Sequence, residues 1–221
     1  MANVSVLGAG TWGIALARIL SNAGHNLTVW SAIPSEIDEL SLTHRHKNLP
    51  GSVLGDNIVY TKSLEEACNA SSYLFFAVPS PYVRATSKKA SPYIKKQIII
   101  DVAKGIESET LLTMSEIIKS EIPNAEVVAL SGPTHAEEVS IDMPTTIVAA
   151  TPNVEVANQV VALFQNTCMR VYTNQDIKGV EICGALKNII ALSAGISDGL
   201  GYGDNIKAAL ITRGMAEMRR L

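Results

Sequence analysis

The chain has 221 residues, 47% of them hydrophobic and only 18% charged, a balance that suits one domain or one and a fraction and excludes a disordered chain. Net charge is −3, aromatics are 5%, and the Lys and Arg residues are scattered, so no basic stripe marks the chain for nucleic acid. Cys68, Cys168 and Cys183 are odd in number and far apart, the pattern of reduced, buried thiols in a cytoplasmic protein. No apolar run approaches about 18 residues, so no membrane span is expected, and a strand that begins by Val4 leaves no room for a signal sequence.

Residues 4–20, VSVLGAGTWGIALARIL, begin with apolar and small residues in alternation, break on Gly8 and Gly10, and continue at helical spacing. NLTVWS (26–31) is a second strand, PSEIDELSL a short helix opened by Pro34, NIVYT a third strand and SLEEACNA another short helix. SSYLFFAV (71–78) and QIIIDV (97–102) are nearly continuous apolar runs, as in strands covered on both faces. ETLLTMSEIIKSEI has helical periodicity and Pro123 stops it. EVVALS (126–131) and TTIVAA (145–150) are two more strands, NVEVANQVVALFQ (153–165) is a helix and MRVYTN a last strand. This alternation predicts a Rossmann-like, doubly wound, mostly parallel sheet with helices on both faces. The composition changes near Asp176, where a long helix, the loop LGYG and a further helix follow with no strand. Residues 177–221 therefore read as the first helices of an incomplete all-α domain.

Gly8-x-Gly10-x-x-Gly13 follows a strand and opens a helix, with a second strand about 20 residues on. A glycine turn without a ligand is the alternative, but in this context the pattern predicts that residues 1–176 bind a dinucleotide. Gly8 permits the tight turn, Gly10 lets the main chain approach a pyrophosphate, and Gly13 lets helix and strand pack closely. The helix start supplies free N–H groups and partial positive charge. At the end of the second strand, Ser31 and Ala32 stand where an NAD site places an acid against the ribose 2′-hydroxyl. NADP is therefore tolerated, and no Arg stands there to favour it.

AVPSP (77–81), DVAKGIE (101–107) and LSGPTHAEE (130–138) all follow strands, where open α/β sheets bind ligands. Lys104, just past a buried strand, is either a solvated loop lysine or a cation beside substrate and nicotinamide. On the long helix, Gly184, Lys187, Asn188, Ala191, Ala194, Gly195 and Asp198 share one side. A lysine among such small and apolar neighbours either reaches out to solvent or lines a cavity. His135 reads as an exposed loop histidine, and HRH at 44–46 lacks a third ligand for a metal site.

GAGTWGIALA, VPS, AKGIE, SGPTHAEEV and above all GVEICGALKNIIALSAGISDGLGYGDNIKAALITRGMAEM closely resemble NAD(P)-dependent glycerol-3-phosphate dehydrogenases of the bacterial type, over essentially the whole chain. The resemblance implies reduction of dihydroxyacetone phosphate to sn-glycerol 3-phosphate, the backbone precursor of phospholipids. It implies Lys187 as the catalytic acid/base, with substrate contacts from Lys104, Gly132 and Thr134. Asn188, beside Lys187, is counted with them. Thr11, Trp12 and Ala136 would contact the dinucleotide, as would Lys104. A desolvated Lys187 beside a second cation would have its pKa lowered toward about 7–8.

The segment WSAI lacks the Arg or His that many NADP-using members carry there. In the family the helical domain continues for roughly another hundred residues and carries an Asp and an Arg-Asn pair that grip the substrate phosphate. On this reading the chain is a fragment that binds the dinucleotide, turns over little, and self-associates through the apolar side chains of 179–221, as a homodimer or by exchanging helices. The alternatives are a nucleotide-binding module without turnover and a related dehydrogenase acting on a 3-hydroxy acid or a sugar.

Overall fold

A computed structural model describes all 221 residues. Its centre is one sheet of eight strands: β1 (Asn3–Leu7), β2 (Asn26–Trp30), β3 (Ile58–Thr61), β4 (Tyr73–Phe76), β5 (Ile98–Asp101), β6 (Glu126–Ser131), β7 (Thr145–Ala150) and β8 (Met169–Asn174). Their order is β3-β2-β1-β4-β5-β6-β7-β8. All neighbours pair in parallel except β6 and β7, which are antiparallel. That pair needs no full crossover, so the segment between them forms only a short helix. The remaining helices are α1 (Thr11–Asn22), α2 (Pro34–Thr43), α3 (Leu64–Asn69), α4 (Val83–Ala90), α5 (Met114–Glu121), α6 (Ala136–Val139), α7 (Val154–Leu163), α8 (Ile177–Gly199) and α9 (Asp204–Met218).

Alternation along the central strands divides the core in two. Val4, Val6, Phe75, Ile100, Val128 and Leu130 pack with α1 and α7 on one face. Leu7, Leu74, Phe76, Ile99 and Val127 pack with α3, α4 and α5 on the other. Each such buried Leu, Ile or Phe contributes about 1.5–3 kcal/mol, so this sheet is the stable platform.

Two helices escape the sequence pattern. In α4, buried Val83, Thr86, Ser87 and Ala90 keep helical spacing, but small and polar side chains hide the stripe. Four-residue α6 is too short to show a period. The helix expected from Glu109 begins only at Met114, because Leu111 adopts φ 59° and Thr113 forms a capping box with Glu116. Cys68 is buried, Cys168 is half-buried and Cys183 is exposed, which corrects the expectation of three buried thiols. The expectation on apolar runs also needs correction. By length and composition α8 could cross a membrane, with mean hydropathy 1.4, since its Ile, Leu, Val and Ala residues outweigh its few charged ones. It also carries Glu181 and Lys187, and Glu181 is buried against protein.

Candidate active site

Three glycines carry β1 into α1 for different reasons. Gly8 adopts φ 127°, and a Cβ there would stand 2.6 Å from the Ala77 carbonyl oxygen. At Gly13 a Cβ would collide with the Gly8 carbonyl. The fold itself requires both. Gly10 is different. Its φ of −69° and ψ of 173° suit any residue, and no heavy atom lies within 4 Å of where its Cβ would be. It is the N-cap of α1, with no side-chain cap and no acid in the first turn. The first N–H groups of α1 and the positive end of its dipole therefore meet open space. A glycine that the fold does not need leaves room here for an anion to reach the main chain.

That space is a cleft of about 670 Å³ at the C-terminal ends of β1 and β4, where the strand order reverses. Gly8 and Gly10 of the motif line it, as do Thr11 and Trp12, which the resemblance implies, whereas Gly13 is packed behind them and does not. Ser31 and Ala32 at the end of β2 form one wall, and α4 contributes Tyr82's neighbours Ala85 and Thr86 to another. Sequence order leaves the end of β2 without an acid, but folding supplies one. Glu36 in the first turn of α2 lines the cleft, and the Ser31 hydroxyl donates to its Oε2 at 2.6 Å.

Val102 and Ala103 line the cleft beyond β5, and Lys104 follows them. Lys104 Nζ donates to the Gly132 carbonyl at 3.0 Å and to Thr134 Oγ1 at 3.1 Å, which leaves one N–H uncommitted. Burial, and then the charge of Lys187, lower its pKa. The loop is fixed from behind, because Glu107 takes Arg84 of α4 in a two-pronged pair at 2.8 and 2.6 Å. Gly184 lets α8 approach, since a Cβ there would stand 2.7 Å from Ser131 Oγ at the end of β6. Lys187, one turn on, is exposed, and its Nζ donates to Asn188 Oδ1 at 3.2 Å. Desolvation thus falls on Lys104 and not on Lys187 as expected, because only the first turns of α8 are seated on the sheet.

Two buried acids under this site escape sequence reading. Glu181, two turns before Lys187, accepts from Ser115 N at 2.7 Å and Ser115 Oγ at 2.6 Å, so the N-terminus of α5 holds α8 by a carboxylate. Lys178 adds an ion pair with Glu116 at 2.9 Å. Asp101, at the end of β5, accepts from Ala103 N at 3.2 Å, while its Oδ2 is buried without a partner. Burial pushes both carboxyls up, and the nearby Glu181 charge adds to the effect on Asp101. The signal for Asp101 was an acid ending the apolar run QIIID. Ala136 opens α6 outside the cleft lining, half-buried against the core. His135 is exposed and pairs with Glu137 at 2.7 Å.

Residues 3–157 match the profile of the NAD-dependent glycerol-3-phosphate dehydrogenase N-terminus, and residues 176–221 match that of its C-terminus. The chain belongs to this family. Glycerol-3-phosphate dehydrogenase [NAD(P)+] 2 of Lactobacillus delbrueckii subsp. bulgaricus is 59% identical over 100% of this chain and 68% of its own length. The glycerol-3-phosphate dehydrogenase [NAD(P)+] of Bacillus subtilis is 48% identical, with 100% and 66% covered. The crystal structure of glycerol-3-phosphate dehydrogenase from Coxiella burnetii superposes with a TM-score of 0.91 at 32% identity, covering 99% of this chain and 68% of that one. The chain thus spans about two thirds of the length of these glycerol-3-phosphate dehydrogenases.

Proposed function

We propose that the cleft binds NAD(P) and that Lys187 and Lys104 act on dihydroxyacetone phosphate, reducing it to sn-glycerol 3-phosphate for phospholipid synthesis. The observation that carries this reading is continuity. Val102 and Ala103 line the cleft, and Lys104 next to them is close enough to Lys187 for its charge to be felt. A dinucleotide held in the cleft would supply the hydride for the carbonyl carbon. Lys187 protonates the resulting alkoxide as general acid, with Asn188 holding its Nζ. The free N–H of Lys104 stabilises the developing oxyanion, while Gly132 and Thr134 hold the ammonium in place. Thr11 and Trp12, which line the cleft, contact the dinucleotide.

On this reading residues 1–176 form the dinucleotide-binding domain and 177–221 begin the helical substrate domain. The free cysteines suit a cytoplasmic setting. The apolar side of α8 and α9, where Ile189 is 62% and Leu192 67% exposed, is the surface through which copies of the chain associate. Steady-state loss of the reduced-nicotinamide absorbance tests the reaction. Turnover dependent on dihydroxyacetone phosphate is expected. Nucleotide binding with no turnover would leave only a binding module, and preference for a 3-hydroxy acid would replace the substrate.

A further inference from the structure

The cleft wall at the end of β2 has a polar construction that bears on which dinucleotide fits. Ser31 is 5% exposed. Its oxygen accepts from Ile33 N at 3.1 Å, and its single hydroxyl proton goes to Glu36 Oε2 at 2.6 Å. Two donors that a phosphate would seek at this position are therefore already committed, and Pro34 at the start of α2 has no N–H to offer. The bonded carboxylate is acceptor-only. Its Oε2 is anchored by Ser31, and its other oxygen remains to accept from a ligand. Among the cleft-lining residues Glu36 and Lys89 alone are charged, and they stand on different elements, α2 and α4. His46 is near enough for the Glu36 charge to act on it, yet neither it nor Lys47 lines the cleft.

We propose that the Ser31–Glu36 pair reads the ribose 2′-hydroxyl, so that this chain takes NAD(H) in preference to NADP(H). The proposal rests on the dinucleotide reading of the cleft and adds its direction of choice. A 2′-hydroxyl donates a hydrogen bond to the Glu36 carboxylate. A 2′-phosphate has no proton to give at neutral pH, adds nearly two negative charges beside Glu36, and finds the Ser31 hydroxyl already used. Sequence order hides this device, since the acid lies five residues after Ser31 and reaches back from the helix that follows.

Trp12 and Trp30 both line the cleft, so quenching of their fluorescence reports binding in the 221-residue chain without any need for turnover. NADH is expected to bind at least about tenfold more tightly than NADPH, the scale of a like-charge contact. Glu36→Gln, which keeps size but removes charge, should narrow the ratio to about threefold or less, chiefly through tighter NADPH binding. Ser31→Ala should move the ratio in the same direction by releasing the carboxylate, and thermal melts of both variants check that they fold. Lys89→Ala should affect the two nucleotides equally. Wild-type preference for NADPH, a ratio unchanged in folded Glu36→Gln, or selective loss of NADPH binding in Lys89→Ala would each overturn the proposal. Binding of neither nucleotide to the folded wild type would instead overturn the dinucleotide reading, and this proposal with it.

Discussion

The sheet and the α8–α9 pair are built to different standards. Along β1, β4 and β5 nearly every apolar side chain is buried, and the glycine turn is wedged against Ala77. Along α8 only Glu181, Gly184 and Ser197 are buried, and along α9 none is. Ile196 and Met215 are 55% and 64% exposed and forfeit most of what burial would contribute. The cofactor cleft therefore stands on a self-sufficient core. Lys187 sits on a helix held chiefly by Gly184 against Ser131 and by Glu181 against Ser115. Preorganisation differs accordingly: Lys104 is fixed by two hydrogen bonds, while Lys187 holds only its neighbour Asn188.

If the two regions divide binding from chemistry, substitutions should separate them. Lys187→Ala is expected to lower kcat by about 10²-fold or more, the scale of a lost general acid, with NADH affinity unchanged in a fluorescence titration. Near-normal kcat would remove Lys187 from the reaction. A smaller effect should follow at the joint. Glu181→Ala leaves the buried Ser115 N–H without a partner and its hydroxyl with only the long contact to Thr113 Oγ1 at 3.4 Å, and should cost about 1–3 kcal/mol. Hydrogen exchange should then quicken in α8 while β1 and β4 keep their protection. Uniform acceleration across the sheet would mean that the two regions are not separable.

The joint should also show in pH dependence. Asp101 and Glu181 have carboxyl pKa values raised by burial in the folded chain, so the native state binds more protons than the unfolded one between the two values. Their burden is absent below the ordinary carboxylate range, about pH 4, and grows as pH rises through the elevated folded values. Stability measured by urea unfolding should fall over that window, and Glu181→Gln, which imitates the protonated acid, should flatten the fall. A profile unchanged by the substitution would contradict the assignment. The smallest effect is expected on the open face. Ile189→Lys should change stability by no more than about 0.5 kcal/mol, while reducing self-association measured by light scattering.

What was legible in the sequence follows the same division. Continuous apolar runs mark β4 and β5, and short apolar or β-branched segments between turns mark the rest, so all eight were readable, and the Gly8-Gly10-Gly13 turn is local enough to be seen in sequence. Lys104 was findable because it follows a buried strand directly. Glu36 was not, since its link to Ser31 depends on how α2 folds back. Nor was the Glu181–Ser115 contact, which joins residues 66 positions apart. The exposure of Lys187 was misjudged because helical spacing shows which residues share a side and not what covers that side.

The central claim is that the glycine turn exists to meet a dinucleotide, and Gly10 tests it most directly. Its backbone angles suit a β-branched residue and open space surrounds its Cβ position, so Gly10→Val should melt within about 1 kcal/mol of wild type. The new side chain would stand where the pyrophosphate meets the main chain. Titration of wild type and Gly10→Val with NADH and NADPH, followed by fluorescence, should show binding of nucleotide by the first and loss of both by the second at undiminished stability. A folded Gly10→Val chain that binds either nucleotide with wild-type affinity would contradict the account.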